Sequence, residues 1–542
     1  MADARLPDDV IFMISMVFEY GPGNREALVL ALRPADPVCD HSDNYNLVLF
    51  DTEFGMLDAF FGMIQDKDPD MIIGYNIFGF DMKYILQRYY SVLRNVPQGG
   101  RVSKKRFLAD GIIHKSWSSA AYGTRESAIF NFAGRCCFDV YSYATMELTM
   151  QKYSLDYVAQ QLLGKRKLDM PYREMFRMYK AGKISEIAEY CWVDSVLTLD
   201  IWDKLGLWHA VAEQCKLYRV HIHEMYSSGQ QKRIFNQLYF YAHRRGYVFD
   251  KEKNFRTHFK YEGAHVLEPK PGIYRNCSVV DFASLYPSII IAQNICYTTL
   301  VGGAEPRFHR EHTGLVPEIL QHLISSRKEV KRLLAAETDP VLKTIYDKRQ
   351  FAYKVCANSF YGAFGSRDSP YLQMLEGAEA VTRNGRSFLT QAMDMINNHR
   401  YGCSVIYGDT DSCFFVSKRE DDPLDSDKIK MIVTDINEAF PRPVHVEHEK
   451  DIDKLLLLAK KKYVYMLGGR QLAKGVVTAR RDTCFWVREL YEAIITMILN
   501  DASNDQMIDQ LGLNIDYRYY VLHQLKGPVV QLYNVLNWKF EI

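Results

Sequence analysis

Residues 407–412 read Tyr-Gly-Asp-Thr-Asp-Ser, and the apolar residues 405–406 (Val-Ile) and 414–416 (Phe-Phe-Val) lie on either side of them. Two apolar arms that meet at a Gly-Asp-Thr-Asp tip predict a β-hairpin. The tip would hold two carboxylates close together, and like charges at short range raise each other's pKa. Such hard oxygen ligands suit Mg²⁺, which completes its shell with water and phosphate oxygens. An acidic surface turn is the alternative for this stretch taken alone.

The composition is that of an ordinary globular protein with several domains. The chain has 542 residues, 48% of them hydrophobic, and a net charge of +1. A nucleic-acid partner would therefore be held by local basic clusters. The 11 cysteines include no Cys-x-x-Cys pair, so reduced thiols are expected rather than a zinc ribbon or a disulfide framework. No run approaches the roughly 20 apolar residues of a membrane span, and we expect no membrane segment.

Strands and helices alternate in the N-terminal part, which predicts an α/β layer. Apolar runs at 10–17 and 27–32 predict two strands, and the run at 71–73 (Met-Ile-Ile) predicts another. This last strand leads to Asp81, at the position where an α/β sheet usually places its ligands. Farther along, Tyr190 and Asp194 are four residues apart, which puts both on one helix face. Alone, these would more often be a helix cap and a surface pair.

A third acidic position follows the breaker cluster at 269–272. The run at 278–280 predicts a strand that ends at Asp281, and Pro287 would open a helix over 288–292. The N–H groups of such a turn form an anion site that suits a triphosphate. Asp281 could share a metal ion with that phosphate and converge with Asp409 and Asp411. The alternative is a plain capping motif.

Two helices are predicted next, over 315–336 and about 341–361, and their short link should make them antiparallel. Cationic side chains on facing helices can clamp a polyphosphate. The alternative is a surface salt network. The polar residues in question are Arg327, Lys331, Lys354, Asn358 and Tyr361.

In this order the motifs resemble those of family B DNA polymerases of the delta and large-DNA-virus types, from about Pro7 to Pro528. Residues 281–288 (Asp-Phe-Ala-Ser-Leu-Tyr-Pro-Ser) resemble the first polymerase motif and 407–412 the third, while 354–362 resemble the fingers motif. The resemblance implies transfer of a nucleotidyl group from dNTP to a primer 3′-hydroxyl during DNA replication. Two Mg²⁺ ions are implied, with Mn²⁺ as an alternative, held mainly by Asp281 and Asp411, with Asp409 as a lesser catalytic residue.

The resemblance also assigns binding roles. Tyr286 is expected to stack under the incoming sugar and exclude a 2′-hydroxyl. Residues 460–463 resemble a Lys-Lys-Arg-Tyr motif, with Lys462 in place of arginine. The implied nucleotide-binding residues are Ser284, Leu285, Tyr286, Arg327, Lys331, Lys354 and Asn358. The implied DNA-binding residues are Tyr361, Gly362, Lys460, Lys461, Lys462, Tyr463, Lys474, Arg480 and Arg481.

Two of three exonuclease motifs are present, because residues 74–81 resemble the second and Tyr190-x-x-x-Asp194 the third. The implied exonuclease residues are Asp81, Tyr190 and Asp194. The first motif, an Asp-x-Glu on a strand, is missing before Pro7. Asp51-x-Glu53 has the right letters but follows the two opening strands, so we reject it. We expect an incomplete proofreading site, since half of the metal ligands are lost.

The fold that the resemblance implies is α/β and multidomain: a partial RNase H-like 3′–5′ exonuclease domain, a palm with a mixed β-sheet, helical-hairpin fingers and a shortened thumb. The expected boundaries are 1–210 for the N-terminally incomplete exonuclease domain, 211–310 for the connector and first part of the palm, 311–365 for the fingers, 366–485 for the palm and 486–542 for the thumb. Expected partners are primer-template DNA, dNTPs and a sliding clamp or processivity factor, in the nucleus or a cytoplasmic viral factory.

Two other functions are compatible with parts of the pattern. A catalytically weak remnant that binds DNA and nucleotides would result if the missing head and short thumb prevented a productive grip on the duplex. An RNA-making or RNA-copying polymerase is disfavoured by Tyr286 and by the Asp-Thr-Asp form of the hairpin.

Overall fold

The computed structural model describes residues 3–6, 8–21, 23–38, 40–91, 99–101, 112–119, 123–130, 132, 134–148, 150, 152–168, 170–225, 229–249, 261–302, 307–366, 372–419, 421–476, 485–503 and 505–507. The chain divides into two compact units. The first comprises Met1–Gln237 and Glu329–Ala352, and the second comprises Leu238–Lys328 and Tyr353–Ile542. The five-domain division stays a prediction.

The first unit contains small sheets covered by helices. Its strands are β1 (Met13–Glu19), β2 (Arg25–Leu32), β3 (Asn46–Phe50), β4 (Met71–Gly74), β5 (Ile112–Ser119), β6 (Gly123–Phe130) and β7 (Cys136–Asp139). Its helices are α1 (Glu53–Asp66), α2 (Asp81–Ser91), α3 (Val140–Glu147), α4 (Leu155–Leu163), α5 (Tyr172–Lys180), α6 (Ile184–Lys204), α7 (Leu207–Tyr218) and α8 (Ile222–Met225). Helix α9 (Gln230–Arg244) follows.

Strand β2 is the centre of a three-stranded sheet in the order β1-β2-β3, antiparallel to β1 and parallel to β3. Its residues alternate between two apolar cores, because successive side chains of a strand point to opposite faces. Leu30 packs with residues of α1 and α2, whereas Val29 packs with Ala188 of α6. Strands β4 and β7 form a separate parallel pair, and β5 and β6 form an antiparallel hairpin. The predicted α/β layer is therefore present.

A buried ion pair fastens the N-terminal segment to this layer. The Arg88 guanidinium on α2 is 0% exposed, and it lies 2.5 Å from the Glu53 carboxylate on α1, whose side chain is 8% exposed. Arg88 also donates to the Leu6 carbonyl, and Glu53 accepts from the Ile11 N–H at 2.8 Å. Both charges are thus satisfied within the protein, as buried charges must be.

The second unit is built on one six-stranded sheet. The strands of this unit are β8 (Gly272–Phe282), β9 (Leu300–Val301), β10 (Arg307–Phe308), β11 (Cys403–Asp409), β12 (Ser412–Ser417), β13 (Val446–Ala459), β14 (Lys462–Leu467) and β15 (Arg470–Lys474). Strands β9 and β10 form a separate two-stranded sheet. The helices of this unit are α10 (Leu285–Ala292), α13 (Leu375–Ile396), α14 (Ser426–Ala439) and α15 (Phe485–Leu499). Helices α11 (Leu315–Ala336) and α12 (Pro340–Phe364) contribute residues to both units.

The strand order of this sheet is β11-β12-β8-β13-β14-β15. Every neighbouring pair is antiparallel, so the expectation of a mixed sheet is wrong for this part of the chain. Short turns impose this direction on three of the five pairs, β11–β12, β13–β14 and β14–β15, because a short turn can only join antiparallel strands. The pairs that β8 makes with β12 and β13 are joined by long connections. Helix α13 packs on β11 and β12, and α14 packs on β13.

Several sequence predictions in this unit are confirmed and one boundary is corrected. The hairpin is formed by β11 and β12, and α11 has the predicted bounds. Helix α10 begins at Leu285 rather than at Pro287, because Ser284 takes a left-handed backbone conformation with φ of 50° and turns the chain earlier. Pro287 is the third helical residue, where its missing N–H still needs no intrahelical partner. Helix α15 lies at the start of the region that the sequence analysis assigns to the thumb, and the part of that region beyond residue 507 lies outside the described residues.

We predict that Arg88→Met destabilises the first unit by about 3–5 kcal/mol, because it leaves the Glu53 carboxylate buried without its partner. Hydrogen exchange of α1 and β1, measured by mass spectrometry, reports this loss as faster opening. Arg33→Met is the matched control, since the Arg33–Asp51 pair is exposed by 48% and 82% and should contribute at most about 1 kcal/mol. Equal effects of the two substitutions would contradict the prediction.

Candidate active site

The tip of the β11–β12 hairpin is a tight turn at Thr410 and Asp411. Asp409 pairs with Ser412, Thr410 has a left-handed φ of 62°, and the Asp411 N–H donates to the Asp409 carbonyl at 2.6 Å. The Thr410 N–H donates to the carbonyl of His265 at 3.0 Å. The tip is therefore held by the segment before β8 as well as by its own turn.

Asp281 lies at the end of β8 beside this tip. In the sheet register it is opposite Ser412 on one side and Glu447 on the other. The N–H of Phe282 donates to the carbonyl of Asp411 at 2.8 Å, which fixes the end of β8 against the turn. The predicted convergence of Asp281 with the hairpin is thus present in the backbone pairing.

The electrostatics of this corner favour a cation. Burial raises the pKa of Asp281 to about 7, and the charges of Asp411 and Glu449 add to the shift. Burial followed by the charge of Asp409 raises the pKa of Asp411. Within the part of the chain that the structure describes, no group of three or more His, Cys, Asp or Glu side chains is arranged to hold a metal ion. Asp281 and Asp411 thus form a pair that needs ligands from elsewhere to complete a metal shell.

Asp409 differs from that pair, because it already has a cationic partner. Its side chain is 8% exposed, and Lys461 Nζ lies 2.7 Å from Asp409 Oδ1. The Thr410 hydroxyl donates to the same oxygen at 3.2 Å. This ion pair was not predicted, since the sequence analysis assigned Asp409 to catalysis and Lys461 to DNA.

The start of α10 provides backbone donors next to Asp281. Ser284 is the N-cap, and its side chain makes no capping hydrogen bond. The first N–H groups of a helix have no intrahelical acceptor, so they are suited to an anion. Tyr286 in this first turn contacts Tyr361 of α12, with 4.4 Å between the ring centroids. A Cβ at position 385 would lie 3.3 Å from the Tyr286 ring, so Gly385 leaves room for it.

The cationic residues of α11 and α12 differ in their surroundings. Arg327 is half-buried, and burial lowers its pKa while the charge of Glu447 opposes that shift. Lys331, Lys354 and Asn358 are exposed. An exposed ammonium without a rigid partner is available to a polyphosphate ligand.

In the first unit, Asp81 and Asp194 are brought within electrostatic range. Asp81 is the first residue of α2 and is partly open to solvent. Burial of its carboxyl group raises the pKa of Asp81 to about 6, and the charge of Asp194 adds to this shift. The Lys167 ammonium binds Asp194 and lies 4.3 Å from the centre of the Tyr190 ring. The second carboxylate oxygen of Asp194 is buried and has no hydrogen-bond partner among the described residues.

Two residues that support this second site were missed as functional candidates. Asp139, at the end of β7, accepts from the N–H groups of Asn76 at 2.9 Å and Tyr141 at 3.0 Å, and so fixes the loop that leads to Asp81. Lys167 lies in the basic run 164–167 (Gly-Lys-Arg-Lys), which in sequence is indistinguishable from a solvated loop. The rejected Asp51 and Glu53 are paired with Arg33 and Arg88.

Comparison with known protein families gives two matches. Residues 220–535 match the model of DNA polymerase family B, and residues 1–158 match the model of the exonuclease domain of that family. The chain belongs to family B of the DNA polymerases.

Relatives come from both cells and viruses. The DNA polymerase delta catalytic subunit of Plasmodium falciparum is 32% identical over 87% of this chain and 46% of its own length. The DNA polymerase catalytic subunit of human herpesvirus 8 is 32% identical over 92% of this chain and 54% of its own. The delta catalytic subunit of Schizosaccharomyces pombe is 31% identical over 93% and 48%. This family B chain therefore spans about half the length of these relatives.

The lysines expected at the duplex lie around the β13–β14 turn of this family B protein. Lys460 pairs with Glu268 at 2.5 Å, and Lys474 lies 5.7 Å from the centre of the Tyr463 ring. Tyr463 is 4% exposed and packs among Tyr407, Phe414 and Tyr465. Its ring is therefore part of the hydrophobic core. Lys462 is half-buried, Gly362 is exposed, and Arg480 and Arg481 lie outside the described residues. A DNA contact by this set stays a prediction.

None of the helices in the described ranges is long and apolar enough to cross a membrane.

We predict that Asp281→Asn raises the thermal stability of this family B chain in EDTA at pH 8. The pKa of Asp281 is about 7 in the folded chain against an ordinary 3.8, so ionisation costs folded stability as the pH rises through that interval. Because the side chain is half-buried, we expect a modest gain of about 1 kcal/mol, or about 2–4 °C in Tm.

At pH 3 the difference should largely disappear, because Asp281 is then mostly neutral in the folded and in the unfolded chain. Differential scanning calorimetry at both pH values tests this, and the exposed Asp427→Asn is the control. A lower Tm of Asp281→Asn at pH 8 would contradict the predicted repulsion.

Proposed function

We propose that this chain catalyses template-directed DNA synthesis, in which a nucleotidyl group passes from a dNTP to the 3′-hydroxyl of a primer. The observation that carries the proposal is the meeting of Asp281 and Asp411 across neighbouring strands, directly beside the N-terminus of α10. Carboxylates next to backbone anion donors provide both halves of a site for a metal-bound triphosphate.

The residues present fit divalent ions, because burial and neighbouring carboxylates make the charges of Asp281 and Asp411 costly and a cation removes that cost. These two carboxylates would hold two Mg²⁺ ions, for which Mn²⁺ could substitute. When bound, the ions would lower the pKa of the primer hydroxyl and neutralise the leaving pyrophosphate. The chain's own contribution is to position the reactants and to balance charge.

The triphosphate would be bound from two directions. The backbone N–H groups of Ser284, Leu285 and Tyr286 would bind phosphate oxygens at the start of α10. Side chains of α11 and α12 would add positive charge, and Arg327 could bond two oxygens at once. The lining residues on these helices are Arg327, Lys331, Lys354 and Asn358.

Selection of dNTP over rNTP would depend on Tyr286. Its ring is fixed by Tyr361 and has space because position 385 is glycine. A fixed ring under the sugar leaves no room for a 2′-hydroxyl. The same contact supports the proposal that Tyr361 and Gly362 lie near the nascent base pair.

We further propose that the product is held through its phosphates by Lys460, Lys462 and Lys474, a mode of binding that supplies affinity without reading sequence. A palm on the six-stranded sheet, fingers on α11 and α12 and a thumb on α15 complete this proposed architecture. A sliding clamp or other processivity factor would be a further partner. The viral and cellular relatives support the nucleus or a cytoplasmic viral factory as the cellular location of this protein.

The proofreading site is, in this proposal, incomplete. Helix α6 packs on β1, β2 and β4. Strands β1 and β4 belong to different sheets. Among the described residues, no strand pairs with the outer edge of β1 or joins β1 to β4. None of the strands described in this unit carries an Asp-x-Glu sequence. Asp194 is neutralised by Lys167 rather than left for a metal. These features support weak or absent 3′–5′ hydrolysis.

We predict that the purified chain extends a primer on a template with Mg²⁺ and dNTPs, and that Asp411→Ala lowers the rate by at least about 1,000-fold, because a principal metal ligand is lost. Asp427→Ala, an exposed acidic residue of the same unit, should extend at the wild-type rate. A gel-based extension assay measures both. No extension by folded wild-type protein would favour the weak binding remnant, and efficient rNTP incorporation would contradict the role of Tyr286.

We predict slow removal of a mismatched 3′ nucleotide in the presence of Mg²⁺ and the absence of dNTPs. Asp81→Ala should leave that slow rate within about twofold, because a site without half of its ligands gains little from Asp81. Release of a 5′-labelled shortened primer measures the rate. Rapid trimming that Asp81→Ala abolishes would show that the site is complete.

A further inference from the structure

Two histidines lie side by side in the segment between β10 and α11. The ring centres of His309 and His312 are 4.4 Å apart, and the ring planes are inclined at 59° to each other. His312 is exposed, whereas His309 is half-buried. The two residues are the ends of the run His-Arg-Glu-His at 309–312. Neither belongs to the sites described above, so the pair calls for a role of its own.

One ring nitrogen of His309 is left without a partner. Nδ1 is buried and makes no hydrogen bond to any described residue. Buried polar atoms are almost always hydrogen-bonded, and an exception points to strain, a reactive group, a water molecule or an ion. Imidazole is also the commonest metal ligand among protein side chains. The ring that carries the unpaired nitrogen thus lies against a second potential ligand.

The backbone of both histidines is held by Asn294. The Asn294 side-chain nitrogen donates to the carbonyls of His309 and His312, both at 2.8 Å, and Asn294 Oδ1 accepts from the Gly314 N–H at 2.8 Å. The His309 N–H donates to the carbonyl of Thr299 at 3.0 Å. Because the loop is already fixed, a ligand shared by the two rings would cost little further ordering.

The charged residues between the histidines are compatible with a bound cation. The Arg310 guanidinium donates to Gln293 Oε1 at 2.6 Å, and Glu311 is exposed. No third His, Cys, Asp or Glu side chain in the described part of the chain is arranged with this pair to hold a metal. Two imidazoles would therefore be the protein ligands, and water would take the other positions.

The separation of the rings suits a single metal ion. Metal–nitrogen bonds of about 2.0–2.1 Å place two imidazoles that ligate at a right angle with their ring centres about 4.5 Å apart. The observed 4.4 Å is close to that value, so small rotations of the exposed His312 would suffice. Imidazole suits the borderline ions of zinc, copper and nickel, whereas Mg²⁺ prefers oxygen ligands.

We propose that His309 and His312 form an accessory site for a borderline divalent transition-metal ion, such as Cu²⁺, Ni²⁺ or Zn²⁺, distinct from the acidic corner at Asp281 and Asp411. The two imidazoles hold the ion, and Asn294 presents them. The loop leads directly into α11 at Leu315, so the bound ion fixes the segment that precedes this helix. The site does not depend on the polymerase function.

Metal binding to the intact chain tests the site directly. Metal-free protein receives less than one equivalent of Cu²⁺ in the presence of excess Mg²⁺, and electron paramagnetic resonance should show couplings to two imidazole nitrogens. His312→Ala should lose one of these couplings and bind Zn²⁺ at least about 30-fold more weakly by calorimetric titration, because one of two protein ligands is gone. His322→Ala, an exposed histidine on α11, is the matched control and should bind like the wild type.

Hydrogen exchange measures the ordering of the loop. Saturating Zn²⁺ should slow amide exchange in residues 307–315 of the wild type by at least about 10-fold, because the ion binds the ordered loop in preference to the open one. The same addition should leave exchange in His312→Ala unchanged. His309→Asn removes the half-buried ligand and should behave in the same way, and circular dichroism confirms that each variant is folded.

Equal Zn²⁺ affinities of the wild type and His312→Ala would overturn the proposal. Displacement of the bound Zn²⁺ by Mg²⁺ would also overturn it, and so would a loss of affinity in His322→Ala as large as that in His312→Ala, since the ion would then bind surface histidines in general. These measurements need neither DNA nor dNTP. Failure of the wild-type chain to extend primers would therefore count against the polymerase function alone.

Discussion

The burial of two neighbouring carboxylates, Asp281 and Asp411, is the constraint on which the acidic corner of the second unit depends. Two carboxylates in a partly buried corner are unfavourable, and the fold keeps them there by backbone hydrogen bonds that do not involve the charges. The Phe282 N–H holds Asp411 from β8, and the His265 carbonyl holds Thr410 from the other side. In the proposed function, this electrostatic cost in the free protein would favour the binding of cations and phosphates at a prepared site. Preorganisation of this kind is the main contribution that a protein makes to phosphoryl transfer.

The features that local physics determines could be predicted from the sequence. Apolar arms around an acidic tip give the β11–β12 hairpin, and the amphipathic pattern gives α11 with its observed bounds. The start of α10 was misplaced because the left-handed Ser284 is not signalled by any glycine or asparagine. The mixed sheet was an expectation taken from the family resemblance. The short turns at 410–411 and 460–461 permit only antiparallel neighbours, but the direction of the central strand β8 is not set by any short turn.

The pairings of charged side chains could not be predicted in the same way. Lys461 and Asp409 are separated by 52 residues, and Lys167 and Asp194 by 27. Which lysine reaches which carboxylate depends on turn conformation and sheet register, and neither is encoded by residue type alone. In both sites a lysine from a basic run binds an acidic residue of a matched motif. Basic runs in this chain therefore supply internal counter-ions.

The register of β8 has a consequence for how the chain tolerates changes in length. β8 pairs on both sides, and Asp281 lies opposite Ser412 and Glu447 at once. Because strand side chains alternate between faces, one inserted residue upstream within β8 would turn Asp281 to the opposite face of the sheet. The Gly468-Gly469 turn between β14 and β15 has open space at both positions, so extra residues there leave the strand pairing intact. That turn is accordingly the place where a peptide tag or a fluorophore attachment site can be inserted while the acidic corner keeps its geometry.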